Sequence, residues 1–243
     1  MKKLASLLAL PALLAASSTA FAQTKMFEGF YGQVSTGYEN NTISSTNANY
    51  TVDNNPPYSG MHNTSNQAAS GMPLVLGLGY NFALSSQWVL GLGADYSALS
   101  QKTSVFSSNN PQVPGPYGYT NGQNIQISNR YNIFLSPGYV IDQDKLMYAK
   151  VGYSNQQIQF NTPAQQSSSS YAPSATQSGY VVGLGYKQII SGGLYLFGEA
   201  NYMGYSNASL SSTVLQSGGP SVSVNRNPSA SAYTILIGAG YKF

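Results

Sequence analysis

The sequence contains no cysteine, so neither a disulfide framework nor a thiolate metal site is open to it. It has one histidine, His62, and a lone His without Cys weighs against a metal centre. Charge is scarce too. Asp, Glu, Lys and Arg together make up 7% of the chain, against about 25% in ordinary soluble proteins. A water-facing surface is hard to build from so few charges. With Lys2 and Lys3 set aside, eight basic and seven acidic residues remain, which leaves no basic surplus for binding nucleic acid. Past residue 22 no apolar run approaches the ~20 residues that a membrane-spanning helix requires.

What is present begins with a leader. Lys2 and Lys3 precede an apolar stretch from Leu4 to Ala16, broken by Pro11, and the small-x-small ending Ala20-Phe21-Ala22. This pattern reads as a secretory signal over 1–22, with a single domain expected over 23–243.

Beyond the leader, short segments alternate apolar with small or polar residues. This period of two is expected of a membrane barrel, whose strands face lipid on one side and the lumen on the other. Eight such segments occur: Phe30–Glu39, Pro73–Phe82, Trp88–Leu99, Ile125–Val140, Leu146–Gln157, Gly179–Lys187, Leu194–Tyr205 and Ala232–Phe243. In the fourth, Ile125, Ile127, Tyr131, Ile133, Leu135 and Tyr139 share the outward row.

The connections sort into two classes that alternate along the chain. Tight turns lie at Ala83–Gln87, Asp142–Lys145 and Ser191–Gly193; long links span Asn40–Gly71, Ser100–Asn124, Phe160–Ser178 and Ser206–Ser231. The expectation is an all-β, eight-stranded antiparallel up-and-down transmembrane β-barrel with short periplasmic turns and four long extracellular loops. The strand count rises to ten if a long loop hides a hairpin. Rich in Asn, Ser, Gln, Pro and Gly, the loops are expected to be mobile and hydrated. Tyr50, Tyr58, Tyr117, Tyr119 and Tyr171 are contact candidates there.

Asp95, Arg130, Lys150 and Glu199 fall on the inward face at heights that let all four meet. In a barrel this narrow they read as a polar lumen plug, with an ion-leaking gate as the alternative. On the lipid face a mid-membrane Lys or Arg would cost roughly 2 to 4 kcal/mol. The glycine pairs Gly77/Gly79, Gly91/Gly93, Gly183/Gly185 and Gly238/Gly240 sit inside strands, so they read as inward positions emptied for close packing rather than as a nucleotide loop. Phe30, Tyr80, Phe82, Trp88, Tyr139, Tyr241 and Phe243 lie near strand ends and suit an interfacial aromatic girdle. His62, whose nearest acid in sequence is Asp53, lies in a loop with nothing rigid to organise a catalytic set. It is expected to be a solvated loop residue, and a lipid-modifying enzyme that uses it is the least favoured reading.

The Gly-x-Gly-Tyr strands, the segment Leu146-Met147-Tyr148-Ala149-Lys150-Val151-Gly152-Tyr153 and the ending Gly238-Ala239-Gly240-Tyr241-Lys242-Phe243 resemble the small outer-membrane barrels of the OmpA-like and opacity-protein superfamily. The resemblance implies an eight-stranded barrel in the bacterial outer membrane. It also implies that Phe243 is the signal read by the barrel-assembly machinery. Members include adhesins, host-interaction proteins and structural anchors, so the fold does not select a function. The reading at this point is a non-enzymatic barrel without cofactor, metal or nucleic-acid partner. It contacts outer-membrane lipids, including lipopolysaccharide, and meets a host or cell-surface partner through its loops. A narrow passive pore is the alternative.

Overall fold

The computed structural model describes residues 26–54, 56–109, 119–165, 169–214 and 219–243. The leader over 1–22 and Tyr117 lie outside the described residues. Fifteen strands follow in chain order: β1 (Gly29–Ser44), β2 (Ala48–Val52), β3 (Tyr58–His62), β4 (Gln67–Gly71), β5 (Leu74–Ala83), β6 (Trp88–Ser97), β7 (Gln101–Lys102) and β8 (Phe106–Asn109), then β9 (Tyr119–Asp142), β10 (Lys145–Asn161), β11 (Ser174–Ser191), β12 (Leu194–Tyr205), β13 (Leu210–Val214), β14 (Val222–Arg226) and β15 (Ser229–Lys242).

Eight of them form a ring. The antiparallel order β10-β11-β12-β15-β1-β5-β6-β9 returns to its start because β9 also pairs β10. Closure through β1 and β15 leaves no open edge, which is what lets a sheet sit where water cannot satisfy backbone groups. The last residue completes the seam, since the Phe243 N–H donates to the Phe30 carbonyl at 2.9 Å.

Alternation decides what each face shows. On β6, Trp88, Leu92 and Tyr96 are exposed while Val89, Gly91, Gly93, Asp95 and Ser97 are buried. The inward glycines receive aromatic rings from other strands. A Cβ on Gly93 would lie 2.6 Å from Tyr31 Oη and 2.8 Å from Phe134 Cζ. Without that space the two rings could not cross the narrow interior.

One expected face is reversed. Ile125 and Ile127 point inward and are fully buried, although Tyr131, Ile133, Leu135 and Tyr139 on the same strand point outward. The cause is a bulge. Ser128 pairs Gln157 and Tyr131 pairs Asn155, so Asn129 and Arg130 together oppose Gln156, with Asn129 at φ 52°. One extra residue flips the row beyond it.

The long links are not the plain loops expected. The ring strands run past the expected ends, β1 to Ser44 and β10 to Asn161, while β9 starts at Tyr119 and β11 at Ser174. Hairpins do lie hidden in the first and fourth links, yet they stay outside the ring. Instead they combine into a separate sheet of order β13-β14-β2-β3 at the loop end of the barrel. Each hairpin has a buried apolar row (Tyr50 and Val52; Leu210 and Val214) that neither could cover alone.

Candidate functional site

The interior is stacked in layers along the barrel axis. Nearest the short turns is an apolar layer of Phe27, Tyr31, Val89, Val140, Leu146, Ile189, Tyr195 and Phe197. Lys187 reaches into it and stands over three tyrosine rings, 4.2 Å from Tyr31 and 5.1 Å from Tyr148 and from Tyr195.

Above it lies a polar layer centred on Lys150. Its Nζ donates to Asp95 Oδ2 at 2.6 Å and Glu199 Oε1 at 3.0 Å, and sits 4.1 Å over the Phe134 ring. The carboxylates are held in turn: Asn132 donates to Asp95 at 2.6 Å, and Tyr148 and Asn201 donate to Glu199 at 2.7 and 2.8 Å. Three of the four expected lumen charges thus meet. Arg130 does not join them. It sits one layer further from the turns, paired with Glu39 at 2.8 Å and donating through Nε and Nη2 to Gln156 at 3.2 and 2.8 Å and through Nη2 to Asn41. Arg130 lies at the bulge and reaches across the lumen to Glu39 of β1. Glu39 was legible as an inward residue of the first strand.

At the loop end the interior closes on a second apolar layer: Ile43, Ala69, Ile125, Ile127, Ile158, Phe160, Ala208 and Leu210. The lumen charges balance. Glu39, Asp95 and Glu199 face Arg130, Lys150 and Lys187, all buried. Arg130 and Lys150 are ion-paired in place, as a low-dielectric interior demands, while Lys187 rests on the three tyrosine rings.

Two aromatic rings bound the outer surface. At the short-turn rim Phe30 packs on Tyr80 at 4.8 Å, Tyr80 on Phe82 at 4.6 Å, Trp88 on Tyr139 at 5.2 Å and Tyr241 on Phe243 at 5.3 Å. All seven expected girdle residues therefore lie on this one rim. The second ring, toward the loops, was not singled out from the sequence: Tyr38, Tyr96, Tyr131, Tyr153, Tyr180, Tyr202 and Tyr233, all exposed. A signal for it existed. Phe30 and Tyr38, Trp88 and Tyr96, Tyr131 and Tyr139, and Tyr233 and Tyr241 are each eight residues apart. At about 3.3 Å per residue and a tilt of 35–45°, that spacing sets the rings roughly 20 Å apart along the axis, close to the apolar band of an outer-membrane barrel. Between the rings the outward row is dominated by Leu, Ile, Val and Ala, with Gly32, Thr36, Pro137 and Gly198 among them.

His62 is placed differently from expectation. It ends β3 in the loop-end sheet, its ring 5.1 Å from that of Tyr50 and its Nδ1 buried without a partner. Burial and the positive charge of Arg226 hold its pKa below the ordinary histidine value. Among the described residues no carboxylate orients it as a catalytic base. Of the loop tyrosines, Tyr50 is buried and Tyr58 exposed, while Tyr171 pairs back to Thr162.

Solved structures of similar shape are outer-membrane proteins. OprG of Pseudomonas aeruginosa is 14% identical, with 89% of this chain and 97% of that one covered at a TM-score of 0.50. The outer membrane protease OmpT of Escherichia coli is 11% identical over 93% and 99% of the two chains at 0.47. Ail, the attachment invasion locus protein of Yersinia pestis, is 15% identical over 89% and 99% at 0.40. Identities this low speak to fold alone. No curated protein matches the sequence. The outer membrane protein beta-barrel domain matches residues 8–243, and the closed ring of eight strands agrees with it, so the chain belongs to that family of the bacterial outer membrane.

Proposed function

We propose that this protein is a closed, non-enzymatic outer-membrane barrel that acts through its extracellular surface as a contact or adhesin-like module. The observation that carries this reading is the filled lumen. Two apolar layers bracket the polar ones, and each buried carboxylate is held by a cation or an amide. Conduction needs a continuous polar path with sites weak enough to release an ion, so the filling weighs against the narrow-pore alternative. What remains for function is the extracellular sheet, whose outward residues Asn49, Thr51, Ser59, Met61, Ser211, Thr213, Ser223 and Asn225 are exposed and uncharged. A surface already folded before contact loses less entropy on binding than a free loop does.

The girdles support contact with outer-membrane lipids, including lipopolysaccharide on the outer side. Phe243, 78% exposed at the periplasmic rim and bonded to the β1 backbone, suits recognition by the assembly machinery. The test is adherence of cells that express the full-length protein or a variant with 46–66 and 207–228 replaced by short Gly-Ser links. β4 and the ring stay intact in that variant, and heat-modifiable gel mobility checks that the barrel has folded. Adherence above vector-only cells that disappears with the sheet is expected. Adherence equal to vector-only cells, or unchanged after sheet removal, would refute the contact role.

A further inference from the structure

The extracellular sheet hides an unbalanced charge. Its register sets Leu210, Arg226, Ala48 and His62 side by side across β13, β14, β2 and β3. Tyr50, Val52, Val222, Val224, Val214 and Ser212 occupy further positions on the same face, on which Arg226 and His62 are the basic residues. They flank Ala48, whose side chain is a single methyl, the smallest in this row. With neighbouring strands about 4.8 Å apart, their backbones stand roughly 10 Å from each other, a gap that two long side chains can frame.

Arg226 is 6% exposed, with its guanidinium 5.0 Å above the Phe160 ring and Tyr171 as a hydrogen-bonding neighbour. Its Nε has no partner. Among the described residues no carboxylate pairs with it. The one acidic residue on this sheet, Asp53, is exposed just beyond the far end of β2. His62 Nδ1 and the hydroxyl of Thr64, two residues further on, are likewise buried and unpartnered. Thr64 is fixed there by its backbone, whose N–H donates to Asn47 and whose carbonyl accepts from Thr46. Three of the seven unpartnered buried polar atoms among the described residues thus belong to this one corner. In the lumen, by contrast, Arg130 and Lys150 are each ion-paired to buried carboxylates.

A buried guanidinium without a counter-charge is costly, and water would supply hydrogen bonds but no charge. Fixed donors of positive charge in a dehydrated corner select an oxygen-bearing anion. We propose that the notch over Ala48, framed by Arg226, His62 and Thr64, binds a small oxyanion: a carboxylate, sulfate or phosphate group reaching it from outside the cell. Arg226 supplies the permanent charge, Thr64 a hydroxyl, and His62 an N–H that becomes cationic as the anion arrives. His62 is partly exposed on β3, an edge strand of the sheet, which gives the ligand its path in.

His62 is the single histidine, so its imidazole is a unique reporter. The experiment uses untagged full-length protein folded in micelles, with histidine isotopically labelled. Sodium sulfate, phosphate and acetate are titrated separately at ionic strength held constant with sodium chloride. A saturable change in the His62 signals with at least one oxyanion, and an upward shift of its titration midpoint at saturation, are expected. Arg226→Gln should abolish both, Arg226→Lys should retain weakened binding, and Thr64→Val, which keeps the charges, should weaken it several-fold. The three anions separate sulfate, phosphate and carboxylate as the preferred group. No saturable response to any of them, or an equal response in Arg226→Gln, would overturn the proposal. Should Arg226→Gln fail to fold by gel mobility, Thr64→Val decides, and binding as tight as in the parent protein would then count against the site.

Discussion

Replacing Lys150 by methionine removes the cation that holds two buried carboxylates and leaves a side chain of similar length. Asp95 and Glu199 each keep their amide or hydroxyl donors, but their shared counter-charge is gone. Because both carboxylates lie within 3.0 Å of one nitrogen, their facing oxygens are less than ~6 Å apart. Two unit charges at that separation repel by about 3 kcal/mol at an effective dielectric of 20. Removing one member of a buried pair generally costs roughly 3–5 kcal/mol, so a loss in that range is expected. The triple variant D95N/K150M/E199Q keeps the shapes and most hydrogen bonds while discharging the whole layer. The neutral amides leave no uncompensated buried charge, so this variant should regain most of the stability lost in K150M. The assay is urea unfolding of the lipid-reconstituted barrel, followed by the fluorescence of Trp88, the single tryptophan, and by gel mobility. K150M as stable as the parent, or the triple variant as weak as K150M, would refute the reasoning.

Gly93→Val should destabilise the barrel by about 1–3 kcal/mol in the same assay, because the new side chain meets Tyr31 and Phe134; Ala94→Val, on the lipid face, should not. Trp88, 53% exposed in the short-turn girdle, should be quenched more by lipids brominated near the headgroup than by lipids brominated near the chain end. Burial and Arg226 depress the His62 pKa, so the folded extracellular sheet binds a proton less readily than the opened one. Its stability should be full above about pH 6.5 and fall as the pH drops below that value. Hydrogen exchange across residues 46–64, corrected for intrinsic rates, should show opening on acidification in the parent. His62→Phe, which keeps a ring against Tyr50, should not show it.

The ring was legible in the sequence because lipid imposes a strict rule. Every crossing strand must alternate, and runs such as Leu74-Val75-Leu76-Gly77-Leu78-Gly79-Tyr80 carry that rule openly. The lumen was legible in part. Alternation placed Asp95, Lys150 and Glu199 inward, but which inward charges meet depends on the stagger between strands, and the bulge at Asn129 and Arg130 changes that stagger without a composition signal. Ile125 and Ile127 depart from the expected lipid-facing row because they lie beyond the bulge, where apolar side chains pack inward. Counting from the turn at Asp142 would have placed them above the ~10-residue crossing, where apolar side chains have only the interior to fill. The extracellular sheet was hidden for a different reason. Its strands are short and Asn/Ser-rich, and its core exists only when links far apart in sequence come together, so neither link alone shows more than a weak period of two.

The central claim, a barrel closed inside and active outside, is tested most directly by the conductance of the purified, folded full-length protein in planar lipid bilayers. Stacked apolar and neutralised polar layers predict a membrane current that stays at the lipid background across applied voltages. Discrete, reproducible conductance steps carried by folded protein would contradict it.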